Sequence, residues 1–169
     1  MHWFDLARDQ LVQWKLREKA ARGFRKSFTT LAQKALDTAF DEARSRDDRF
    51  IGCEHVLLGL LQADDALVTK VFSDLGLTLD VLRSEMGTPP ERDPGSLELS
   101  RLPFTPRMKH VLQNARLEAE GRGQSPVDEK SLLLALLREK GGLPGRVLGK
   151  LHIDVEALRS TVLSEGAAN

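Results

Sequence analysis

Three short stretches of the 169-residue chain hold residue types that can do chemistry. Cys53-Glu54-His55 sets a thiol, a carboxylate and an imidazole in succession, the right types for a nucleophile with its base or for metal ligation. The spacing works against both uses, because adjacent residues on a helix point in different directions and cannot converge on one atom. No second cysteine completes a zinc set, and His2, His110 and His152 lie scattered without ligand spacing. His55 therefore reads as a helix-terminal or core-edge residue. Gly141–Lys150, GGLPGRVLGK, looks like a phosphate loop but has Pro144 where a second glycine is needed and Leu151 where the lysine should be followed by Ser or Thr. Glu42 and Glu118 are the third candidate, carboxylates on a helix surface that are expected to solvate a face or form weak pairs one turn apart. Nothing assembles a nucleophile, a base and an oxyanion site. The sequence reads as a non-enzyme with no cofactor and no metal.

The elements that must carry these residues occur twice. Sliding the chain by about 76 residues lays Phe28–Arg83 on Phe104–Arg159 without a gap. Phe28-Thr29 falls on Phe104-Thr105, Glu42-Ala43 on Glu118-Ala119, Leu57-Leu58 on Leu133-Leu134, and Leu82-Arg83 on Leu158-Arg159. Self-similarity over such a length marks a structural unit. In the first copy, Ala32, Ala35, Leu36, Ala39, Phe40 and Ala43 share one helical face, predicting an amphipathic helix over Thr29–Ser45 with Thr29 as N-cap. Cys53–Gln62 is apolar nearly all round and belongs in the centre. A third helix is capped by Asp64 or Asp65 and ends at Leu75, before Gly76. A fourth begins at Thr78 and runs to Met86.

The second copy predicts helices over Thr105–Glu120, Glu129–Glu139, Leu143–Leu151 and Val155–Leu163. The expected organisation is an N-terminal extension at 1–27, a first repeat at 28–86, a linker at 87–103, a second repeat at 104–163 and a tail at 164–169. Pro89-Pro90 and Pro94-Gly95 break any helix in the linker. With no β-branched alternation, the fold is expected to be all-α, two tandem four-helix repeats in a pseudo-twofold pair plus an extra N-terminal helix. That extra helix holds Trp3, Phe4, Leu6, Leu11 and Trp14 on an amphipathic pattern. It packs on the domain or serves as a docking or membrane-surface helix, the acidic residues mixed in favouring docking over the membrane, with Trp3, Phe4 and Trp14 as candidate contacts.

Composition narrows the function classes. Lysine and arginine total 25 and so do aspartate and glutamate, leaving no bulk electrostatic case for nucleic acid or an anionic membrane. No apolar run approaches the roughly 20 residues of a membrane span. A single cysteine excludes an internal disulfide and fits a reducing compartment, so a cytoplasmic location is expected.

Phe28-Thr29 with the Ala32, Leu36 and Ala39 face, the string Ile51-Gly52-Cys53-Glu54-His55-Val56-Leu57-Leu58-Gly59-Leu60, Leu75-Gly76-Leu77 and the second opening Leu102-Pro103-Phe104-Thr105-Pro106-Arg107 together resemble the N-terminal repeat domain of Clp unfoldases, most closely the ClpC and ClpA branch. The resemblance covers Phe28–Leu163. It implies a pseudo-twofold pair of four-helix repeats that binds proteins and does no chemistry. The implied partners are Clp unfoldase or peptidase components, adaptors or substrates, received at the groove between the repeats and at the first-helix N-termini. No Walker motif of an ATPase module is present. The chain reads as a free-standing relative working in trans or as a fragment of something longer; Met1, the extra helix and the polar ending favour the former. Domains of this family also resemble phosphoarginine readers. By position, Thr29 and Glu54 would form the first-repeat pocket, carboxylate to guanidinium and hydroxyl to phosphate. Thr105 marks a second pocket in which Lys130 replaces the glutamate, a charge reversal that repels a guanidinium. The alternative reading is a stand-alone interaction regulator outside proteolysis, docked through the Trp3–Trp14 helix.

Overall fold

The computed structural model describes residues 22–63, 65–87 and 102–165. The candidate docking residues Trp3, Phe4 and Trp14 and nearly all of the expected linker lie outside these. After a helical segment at 22–26 come α1 (Thr30–Ser45), α2 (Cys53–Leu61), α3 (Ala66–Asp74) and α4 (Leu79–Met86). The second repeat supplies α5 (Pro106–Gly121), α6 (Glu129–Arg138), α7 (Gly142–Lys150) and α8 (Val155–Glu165). The fold is all-α, and each of these helices ends within two residues of its expected bounds.

Local chemistry sets the starts. The Thr29 and Thr105 hydroxyls accept from the amides of Ala32 and Met108, and the Asp65, Thr78 and Asp128 side chains cap α3, α4 and α6 in the same way. Asp65, not Asp64, is the α3 cap. The loop-like GGLPGRVLGK segment folds as α7, with Pro144 in the first turn, where no helical partner is lost.

The two central helices are α2 and α6, buried along most of their length. Each fully buried leucine on them contributes about 1.5–3 kcal/mol relative to exposure. The repeats are intertwined. The first repeat's α1 and α3 touch α6, and the second repeat's α5 and α7 touch α2. Two parallel β-bridges stitch the crossing: Phe28 with Val127, and Ile51 with Phe104. Each side of the pseudo-twofold axis thus joins the start of one repeat's first helix to the start of the other repeat's central helix.

Glu42 and Glu118 are not solvated surface carboxylates. Their side chains are 14% and 10% exposed, and each holds the arginine at the matching place in its own repeat, Arg83 or Arg159. Burial pushes the Glu42 carboxyl up, but hydrogen bonds from Arg83 and Gln62, with the Arg83 charge, outweigh it and hold the pKa below the ordinary 4.5. A carboxyl depressed on folding stabilises fully above its unfolded pKa and loses that contribution as pH falls through the folded value. Melting temperature followed from about pH 5 downward should therefore fall less steeply in Glu42→Gln than in the wild type. Parallel curves would remove Glu42 from the acid response.

Candidate functional site

The central helix of the first repeat starts with a histidine lock. The Gly52 amide donates to Nδ1 of the buried His55 at 3.0 Å, which leaves Nε2 to carry the proton and donate to Asp48 at 3.0 Å. His55 is thereby a structural residue of the helix start. Glu54 precedes it and folds back over the N-cap, where a Cβ on Gly52 would lie 2.1 Å from Glu54 Oε1. The carboxylate thus sits at the positive end of α2 with its side chain 31% exposed.

The bridges decide which threonine meets which helix. Ile51 N donates to Pro103 O at 2.9 Å and Thr105 N to Ile51 O at 3.0 Å, so Thr105 adjoins the Gly52-Cys53-Glu54 turn. Thr29 N donates instead to Val127 O at 2.9 Å, against the start of α6. The expectation that Thr29 and Glu54 form a pocket within one repeat is therefore corrected. Thr105 is the threonine beside Glu54, and each candidate pocket is built across the repeats.

The two pockets differ. At the α6 start, the Thr29 hydroxyl donates to Glu129 Oε2 at 2.7 Å while accepting from Ala32 N, so a carboxylate of the chain already occupies the N-terminal end of α1. Lys130, expected to project its charge there, is 9% exposed and donates to Leu163 O at 3.1 Å, near the end of α8. Burial and the nearby Arg122 charge both lower its pKa, with Asp128 opposing them. Asp128 itself is raised by burial but held net below its ordinary value by hydrogen bonds from Ser131 and Arg122. This end is filled by its own side chains.

At the α2 start, Cys53 stands where Glu129 stands in the second repeat, and it brings no carboxylate to Thr105. Burial, then the charges of Glu54 and Glu139, push its thiol up to about 12, so it remains a protonated, unreactive core group. Arg107, from the first turn of α5, lies across Gly141 and Gly142 at the start of α7; a Cβ on either glycine would fall 2.3 or 2.9 Å from its Nη1. Its Nη1 is 3.9 Å from Glu139 Oε1, and its side chain is 46% exposed. Glu54, Thr105, Arg107 and Glu139 thus ring an accessible start of α2 with both signs of charge. Arg107 and Glu139 were not expected from the sequence, although Arg107 belongs to the Phe-Thr-Pro-Arg string. Beside this ring, Phe24, 40% exposed, lies 4.9 Å from the Phe28 ring and 6.0 Å from the Phe104 ring, giving the bridge region an apolar surface.

Among the described residues no group of His, Cys, Asp and Glu is arranged to hold a metal ion, and no helix is long and apolar enough to cross a membrane.

Comparison with known proteins agrees with this architecture. The chain is 36% identical over 162 residues to the chloroplastic chaperone protein ClpC2 of Arabidopsis thaliana, covering 90% of this chain and 17% of the relative. It is 36% identical over 136 residues to chloroplastic ClpC of Pisum sativum, covering 80% and 15%. The chain therefore spans about a sixth of the length of these relatives. Among solved structures, the Hsp104 N-terminal domain of Candida albicans superposes with a TM-score of 0.70 at 15% identity, over 84% of this chain and 93% of that one. The N-terminal domain of ClpD from Arabidopsis thaliana gives 0.65 at 22% identity, over 83% and 95%. A ClpV N-domain solved with a VipB peptide gives 0.62 at 19%, over 85% and 91%. The family model for the Clp repeat (R) N-terminal domain matches residues 27–140 and 103–167. Sequence match and intertwined helical repeats agree: this chain belongs to the Clp repeat N-terminal domain family.

Proposed function

We propose that the chain is a non-catalytic protein-binding module, an accessory of the Clp ATP-dependent protease or chaperone system that takes substrates, adaptors or Clp components. The observation that carries this reading is the asymmetric pair of pockets: one is filled by Glu129, the other leaves Glu54, Thr105 and Arg107 accessible beside exposed aromatic surface. Glu54 suits a guanidinium, while the Thr105 hydroxyl, the Arg107 fork and the amide ends of α2 and α5 suit a phosphate. A phosphorylated arginine side chain presents both groups. The ClpV N-domain solved with a VipB peptide supports peptide binding on this fold. A cytoplasmic setting in a reducing environment belongs to the same proposal.

The test is capture from native lysate on immobilised full-length chain. A Clp unfoldase, Clp peptidase or known Clp substrate should be retained, and free phosphoarginine should displace the fraction held through the pocket. Glu54→Ala should lose that displaceable fraction while keeping its helical circular dichroism. Retention of no Clp component or substrate would overturn the module reading, and an unchanged displaceable fraction in Glu54→Ala would overturn the pocket.

A further inference from the structure

The two central helices are capped by different chemistry. In the second repeat the N-cap is Asp128, whose side chain accepts from the Ser131 amide and hydroxyl and from Arg122. Burial raises that carboxyl, but these donors hold it net below its ordinary 3.8, so the α6 cap keeps its charge well into acid. In the first repeat the matching residue is Gly52, which has no side chain to cap with. The α2 start is held in the reverse sense: His55, at the place of Ser131, takes the Gly52 amide onto Nδ1 at 3.0 Å. This is the back-reaching half of a capping box, with a histidine where glutamate or glutamine is usual. The ring can accept there only while Nδ1 is bare. Protonated, both its nitrogens are donors, and Nδ1–H would face the Gly52 N–H. The α2 cap thus hangs on one proton, and its counterpart on α6 does not.

The surroundings decide what that proton does. Asp48 already accepts from Nε2 at 3.0 Å, and Glu54 Oε1 lies 3.9 Å from Nδ1, about 1 Å beyond a hydrogen bond. On α1, Glu42 feels the His55 charge while it is bonded to Arg83 of α4 and to Gln62. Arg46, which follows α1, has its Nε 3.4 Å from Asp48. Arg107 of α5 and Glu139, after α6, act on the neighbouring Cys53. On α3 and α6, Lys70 is bound to Glu165 and Lys130 to Leu163 O. An imidazolium at this place therefore meets a carboxylate at each nitrogen, and the one at Nδ1 is Glu54. Drawing Glu54 toward a ring that is only 2% exposed neutralises its charge and turns it away from any ligand.

We propose that His55 is a proton-operated switch of the Glu54 pocket: a proton taken from water onto Nδ1 breaks the Gly52 bond, draws Glu54 onto the ring and weakens the pocket's hold on a cationic group. The neutral ring keeps the first turn of α2 capped and leaves Glu54 accessible beside Thr105 and Arg107. His55 acts through Gly52 and Glu54, so it is a positioning residue. The effect on binding rests on the pocket reading, whereas the movement of Glu54 rests on the ring geometry alone. Ser131 takes up no proton, so the start of α6 has no such switch.

Two measurements on the full chain separate the switch from the pocket. The first follows the His55 ring nitrogens, the Gly52 amide and the Glu54 carboxyl carbon by NMR from about pH 8 to about pH 5, the range in which histidine ordinarily changes charge. The ring should carry its proton on Nε2 alone at the upper end, gain one on Nδ1 as pH falls, and move the Gly52 and Glu54 signals with the same midpoint. The second titrates phosphoarginine by calorimetry at about pH 8 and about pH 6 into the wild type and His55→Gln. Glutamine keeps the capping box with an acceptor that takes up no proton, while the probe's own phosphate titrates alike against both proteins. Between the two conditions wild-type affinity should fall about three-fold or more beyond the fall in the variant. Should the variant not fold, the ring titration decides alone. A ring that stays singly protonated throughout, a titration that leaves Glu54 still, or equal falls in the two proteins would each overturn the switch and leave the pocket standing. Absence of phosphoarginine binding at the upper pH, with Glu54 following the ring, removes the pocket reading and supports the switch.

Discussion

Replacing Gly59 with alanine is expected to destabilise the protein by about 3 kcal/mol, at the upper end of what overpacking a core ordinarily costs. The sign is informative, because alanine is the better helix former by about 1 kcal/mol and would stabilise an unencumbered helix. Gly59 lies in α2 where α1 crosses it. A Cβ there would sit 2.0 Å from the carbonyl oxygen of Ala35, 2.9 Å from its carbon and 3.2 Å from the Ala39 amide nitrogen. These are backbone atoms of a helix, so relief requires the helices to separate. Separation would open the small-residue face of Ala32, Ala35, Ala39 and Ala43, each fully buried. For a domain of this size the loss corresponds to a melting temperature lowered by roughly 6–12 °C. The second repeat provides the control. Ala135 occupies the matching place on α6 and is fully buried, so Ala135→Gly should cost only about 1–2 kcal/mol, from helix propensity and a lost methyl group. Thermal unfolding of both variants checks the contrast. A Gly59→Ala protein as stable as the wild type would mean that the α1–α2 crossing is not fixed by backbone contact.

The second large effect is expected at Glu118. Its carboxylate receives Arg138 at 2.9 Å and Arg159 at 3.1 Å, and the Arg159 side chain is only 9% exposed. Arg159 also donates to Leu134 O on α6. Glu118→Ala would leave a buried guanidinium with that carbonyl as its strong partner. Losing one member of a buried pair costs about 3–5 kcal/mol, chiefly from the charge left behind. The first-repeat counterpart is more forgiving, since the Arg83 side chain is 45% exposed and can turn to water when Glu42 is removed. Urea unfolding of Glu118→Ala and Glu42→Ala should therefore give a clearly larger loss for the former. Adding Arg159→Met to Glu118→Ala should recover part of it, because the stranded charge is then gone. Equal losses for the two alanine variants would refute this distinction between a buried and a half-open pair.

These pairs also show what could and could not be seen in the chain alone. The helices were legible because apolar spacing and capping residues act locally: Thr29, Asp65, Thr78 and Asp128 do the same work in any surroundings. The Glu42–Arg83 and Glu118–Arg159 contacts left a usable trace, since both members match at the repeat offset; a helix-surface reading overlooked it because the partners lie far apart in sequence. The pocket was misassembled for a different reason. Sequence alignment of the repeats places Thr29 and Glu54 in the same copy, but backbone hydrogen bonds of Val127 with Ser27 and Thr29, and of Ile51 with Pro103 and Thr105, exchange the partners. No local pattern encodes that exchange. Glu129 was equally hidden, because it aligns with Cys53 and gains its meaning only once it meets Thr29.

The exchanged bridges have the form of an isologous dimer interface, each contact reciprocated across an axis. Two identical subunits would have to accept any change at both ends of such an axis at once. A single chain carrying both copies is free of that obligation. One end can surrender its helix terminus to an internal carboxylate while the other stays available. Covalent fusion here converts a symmetric scaffold into one with a defined front and back, without altering a single crossing helix.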